Sequence, residues 1–150
     1  VSAYSTFSYA AYALSVCALV HLSSLLIGPS VIEFLGLPPN VVIAAQSGDW
    51  IHVVSTIMAV AFFYVLMAWL CFRARPPLVI SKISRFVLWV FAIVCTLRGL
   101  SVVLFMSAML EGNFGSSPLK VWFFFWASIF MLTIGVALIS GLLRTRKLEA

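Results

Sequence analysis

The chain has 150 residues, 64% of them hydrophobic and 9% charged, with a mean hydropathy of +1.19. A soluble domain carries about 25% charged residues, so a water-exposed surface cannot be built from this composition and hydrocarbon must surround it. The net charge is +5, but the basic residues sit mainly between and after the apolar stretches, which describes membrane topology and excludes a nucleic-acid patch.

Four stretches reach the roughly 20 apolar residues that a spanning helix needs. The first runs from about Tyr4 to Gly28 and its only ionisable histidine is His21. The opening Val1–Thr6 has no Lys or Arg, so this stretch reads as a retained helix and not as a signal peptide. Gly28-Pro29 ends it, because proline lacks a donor and restricts the residue before it. Ala11, Ser15 and Ala18 form a stripe of small residues that lets a neighbouring backbone approach.

The link from Pro29 to Asp49 is too apolar for a solvated loop and too broken for a span. A short helix or hairpin at the outer interface is expected there, capping the helices or touching a partner. The second span runs from about Trp50 to Phe72 and ends at Arg73-Ala74-Arg75-Pro76-Pro77. The third runs from about Ile83 to Leu110 and contains Arg98. The segment from Glu111 to Pro118 separates it from the fourth, about Leu119 to Leu143, which Arg144-Thr145-Arg146-Lys147 closes.

Short links make neighbouring spans antiparallel. The expected fold is therefore all-α, one transmembrane domain built as an antiparallel four-helix bundle. Arg73, Arg75, Lys82 and Arg85 between spans two and three, with Arg144, Arg146 and Lys147 after span four, place both termini in the cytoplasm of a bacterial inner membrane. Trp50 and Trp122-Phe123-Phe124-Phe125-Trp126 then fall near the outer interface, and Trp69 and Trp89 near the inner one, as anchors. Cys17, Cys71 and Cys95 have no metal or redox spacing and read as packing residues.

An ionisable group inside a membrane is costly and raises a functional hypothesis. Arg98 costs about 2.5–3.5 kcal/mol on insertion scales, so it is expected to face the interior or a partner. It would serve an anion, a quinone carbonyl or a haem propionate, or bond structurally to carbonyls, hydroxyls or another subunit's carboxylate. His21 and His52 come from adjacent spans on one side of the membrane and would be axial ligands of a b-type haem, or merely a hydrogen-bonded and an interfacial histidine. Asp49 shares a helix face with His52 or caps the second span. Glu33, Asp49, Glu111 and Lys120 would line an outer pocket above Arg98 or form a solvated rim. No phosphate loop, HExxH, GxSxG or paired cysteines occur, and no catalytic or metal-binding residue is assigned.

Ile27-Gly28-Pro29-Ser30-Val31-Ile32-Glu33-Phe34-Leu35-Gly36-Leu37-Pro38, with Leu97-Arg98-Gly99-Leu100 later, resembles small four-span proteins of the DoxX-like group. The resemblance implies a four-helix bundle that supports a membrane redox system. A shared fold carries no catalytic residue across. The expected function is a non-catalytic accessory subunit of a larger membrane complex, such as a respiratory or other redox complex. Arg98, His21, Asp49 and Glu33 are its candidate ligand or partner contacts. The alternatives are a haem b- or quinone-binding redox protein, and a small oligomeric channel or transporter in which a ring of Arg98 would favour anions.

Overall fold

The computed structural model describes residues 2–35, 37–75, 81–110 and 118–148, without the side chains of 103–110, 118, 120 and 146–148. These residues form six helices: α1 Ala3–Ile27, α2 Pro29–Phe34, α3 Pro39–Ser47, α4 Trp50–Arg73, α5 Lys82–Leu110 and α6 Pro118–Leu148. Four are long and apolar enough to cross a membrane, over Ala3–Ile27, Trp50–Arg73, Lys82–Val102 and Val121–Thr145. The described chain is all-α.

The first three apolar stretches of the sequence fall on helices α1, α4 and α5. The fourth apolar span ends at Thr145, inside its basic cluster, while the helix α6 itself continues to Leu148. Arg and Lys are good helix formers and suit the negative end of the helix dipole. They close the apolar segment without unwinding the backbone. The separator from Glu111 to Ser117 lies outside the described residues, as does the side chain of Lys120.

Several hydroxyls inside the spans are bonded to their own helices. Thr6 Oγ1 donates to Ala3 O at 2.9 Å, Ser24 Oγ to His21 O at 2.6 Å, and Thr96 Oγ1 to Ala92 O at 2.8 Å. In hydrocarbon an unbonded hydroxyl would cost several kcal/mol by the order of polar-group transfer, so these local bonds make polar residues tolerable there.

The contacts divide into two compact units, Val1–Ala10 with Leu70–Ala150, and Ala11–Trp69. The physical reason is that each has its own packing. In the first unit α5 and α6 meet through small residues. Leu88, Ala92, Cys95, Gly99 and Val102 form a buried stripe on α5, spaced by three and four. A Cβ on Gly99 would lie 2.9 Å from Leu132 Cα, and one on Gly135 would lie 2.8 Å from Thr96 N. Only glycine lets the backbones come so close.

The second unit is built around the outer link. Pro29 and Pro39 each open a short helix in its first turn, where the missing N–H costs nothing. Gly48 ends α3 in the left-handed conformation, φ 83°, with its N–H donating to Ala44 O. Ile32, Val41, Ala44, Ala45, Val53 and Ile57 form a buried cluster, with Leu25, Leu37 and Val42 packed against it. The link is therefore a helical hairpin packed on the first turns of α4 through a shared apolar core.

Candidate functional site

Four groups of polar side chains stand out, two in each unit. In the first unit Arg98 stands one position before Gly99, about 100° round the helix from the residue pressed on α6. That rotation leaves Arg98 exposed. Its carbonyl accepts the Ser101 hydroxyl at 2.8 Å. Among the described residues its guanidinium has no hydrogen-bond or ion-pair partner. Val94, one turn earlier, is 55% exposed and Leu97 is 61% exposed.

The second group joins the end of α4 to the start of α1. Arg75 Nη1 donates to Tyr4 Oη and to Ser8 Oγ, both at 3.4 Å, while Nε donates to Phe72 O at 3.2 Å. The guanidinium also lies 4.1 Å from the Phe72 ring centroid and 5.4 Å from that of Tyr4. Arg can stack and donate at once because its charge is planar and delocalised. Sequence reasoning gave Arg75 only a topological role. The one signal was the Tyr4–Ser8 spacing of four, which puts both on one helix face.

In the second unit His21 Nδ1 donates to Cys17 O at 2.8 Å. A carbonyl only accepts, so Nδ1 carries a proton in this bond. The ring lies 5.3 Å from that of Tyr64, centroid to centroid. His52 is elsewhere. Asn40 Nδ2 donates to His52 Nε2 at 3.3 Å, tying α3 to α4. Tyr64 is twelve residues beyond His52 on α4, a rise of about 18 Å.

This corrects the haem expectation. Two axial nitrogens share one iron through bonds of about 2 Å, as imidazole–metal bonds run. Imidazoles at such different levels of α4, one already bonded to Asn40, do not form that pair. His21 and His52 do not fit a bis-histidine haem.

Asp49 Oδ1 accepts the backbone N–H of His52 at 3.3 Å, three residues on. It is the N-cap of α4 and offsets the unsatisfied donors of the first turn. Glu33 is exposed on α2. Glu33 and Asp49 belong to the second unit and Arg98 to the first, and Glu111 lies outside the described residues. Among the described residues no three His, Cys, Asp or Glu side chains are grouped to hold a metal. Compared with family models, curated proteins and solved structures, the chain matches none.

Proposed function

We propose that this chain is a non-catalytic accessory subunit of a larger membrane complex. The observation that carries the reading is the exposed guanidinium of Arg98 within an apolar span. An arginine left in hydrocarbon costs at least about 2.5 kcal/mol, which supports a partner that relieves it. The resemblance of the Gly28–Pro38 segment to DoxX-like proteins supports a redox or respiratory complex of the bacterial inner membrane.

The topology belongs to the same proposal. Thr96 meets Gly135 and Gly99 meets Leu132, so numbers rise on α5 as they fall on α6. Thr6 meets Gly141 and Tyr9 Oη bonds Thr133 Oγ1 at 2.7 Å, which gives α1 and α6 the same opposed sense. These pairs support antiparallel spans. The basic segments after α4 and in α6 support cytoplasmic termini. Gentle solubilisation from the native membrane followed by native electrophoresis tests the reading. A constant set of other chains is expected. A preparation containing this chain alone, with full recovery, overturns it.

A second reading has one observation in its favour, the ring of His21 beside Tyr64, with Nδ1 already bonded to Cys17 O. The other ring nitrogen can exchange a hydrogen bond with a quinol hydroxyl. Saturable binding of a short-chain quinol that is lost in His21→Ala and kept in His52→Ala would support it. Equal binding by all three proteins would remove it.

A further inference from the structure

We infer that the flank of α5 carrying Val94, Arg98 and Ser101 is the docking surface for a transmembrane helix of a different chain, one bearing an Asp or Glu at the depth of Arg98. The inference deepens the accessory-subunit reading and rests on it.

Depth comes first. Arg98 lies thirteen residues beyond Arg85, about 20 Å along the helix. If Arg85 marks one edge of the roughly 30 Å hydrocarbon layer, Arg98 is about 20 Å from that edge and about 10 Å from the other. The nearer edge is on its C-terminal side. Helical side chains leave the backbone tilted toward the N-terminus. Arg98 therefore starts away from the nearer headgroups and faces the longer route to the farther ones. Snorkelling to phosphate is disfavoured on both sides.

The chemistry of the occupant follows from charge. The chain has four acids, Glu33, Asp49, Glu111 and Glu149, and none lies within a span. A second copy brings no carboxylate to this depth, and apposed Arg98 side chains would repel. A buried carboxylate on another chain's helix carries the same kind of insertion cost as Arg98, and the two are relieved together as a bidentate pair. Val94 and Ser101, one turn to either side, are short enough to let that helix approach.

The test places a photo-crosslinking phenylalanine analogue at Val94 of the full chain in its native membrane, with the same residue at Ile43 on α3 and Trp126 on α6 for comparison. The expected product at Val94 is a different chain with Asp or Glu inside a transmembrane helix. Arg98→Glu is expected to lower its yield at least tenfold, and exchanging that acid for Arg is expected to restore it. Arg98→Leu, which inserts more readily, should keep the helices and lose the product. Crosslinks at Val94 only to lipid, or only to a second copy, overturn the inference. So does a foreign chain whose yield the charge exchange leaves unrestored. Crosslinks from Ile43 or Trp126 but none from Val94 overturn the docking surface while the accessory reading stands. No foreign chain from any position overturns both.

Discussion

Gly135 on α6 sits directly on the backbone of Thr96 on α5: a Cβ there would lie 2.8 Å from Thr96 N and 2.9 Å from Ala92 O. Real Cβ atoms do not approach so closely, so Gly135→Ala must push the helices apart. Overpacking of this kind costs about 1–3 kcal/mol. The loss should appear as earlier unfolding in a denaturing-detergent titration followed by circular dichroism. Thr96 Oγ1 is also in the way, but the backbone atoms behind it block the Cβ by themselves, so adding Thr96→Ala should not rescue the variant. Rescue would mean that the Thr96 side chain alone sets the spacing.

The existence of the spans was legible because hydropathy needs only local sequence. Their facing was not. Each span is apolar nearly all round, so no polar stripe marks the outside. What orients α5 is the alternation of Ala92, Cys95 and Gly99 against Gly135, and small residues acquire that meaning only when a second helix is laid on them. The setting of Arg98 followed from Gly99, its neighbour, and not from its own charge. The outer link was legible as helical and apolar through its prolines and glycines. The separation of His21 from His52 required knowing which residue of α4 lies beside His21, and only the Tyr64 contact supplies that.

Arg75 fastens α1 to the end of α4 by two hydroxyl bonds and two ring contacts. These are exposed or half-exposed, so their sum is modest, about 1–2 kcal/mol. Arg75→Ala should leave the spans intact but free the first turns of α1. Hydrogen exchange in nanodiscs should rise over residues 4–9 by roughly tenfold, the equivalent of about 1.4 kcal/mol. Arg75→Lys should recover little of it, because an ammonium cannot stack and donate in the same plane. Unchanged exchange in the alanine variant would show that the contact adds nothing to stability.

Asp49 caps α4 through the N–H of His52. Asp49→Ala is expected to cost about 1 kcal/mol, and Asp49→Ser or Asp49→Asn only a small part of that. Fraying should be local, read as faster exchange at Ile51–Val53. If Asp49 were instead a partner contact alone, the serine variant would weaken complex recovery as much as alanine does while exchange stayed flat.

The hairpin of α2 and α3 depends on few residues, so one truncation should show whether it is a rigid element. Ile32 is completely buried against Val41, Val53 and Ile57. It is the large residue that α2 contributes to this cluster, and a six-residue helix has no stability of its own. Ile32→Ala removes that anchor, and such truncations cost about 2–5 kcal/mol where the site cannot collapse. The spans do not rely on this core, since their apolar surface is matched by lipid. The expected result is selective: residues 29–47 lose exchange protection and become open to protease, while the helical signal of the four spans persists. Ile32→Val, which deletes one methylene, should cost only about 0.5–1.5 kcal/mol and keep the hairpin closed. A cooperative loss of all helices in Ile32→Ala would make the hairpin part of the spanning core; full protection would mean that the chain connections at Gly28 and Gly48 hold it without the buried cluster.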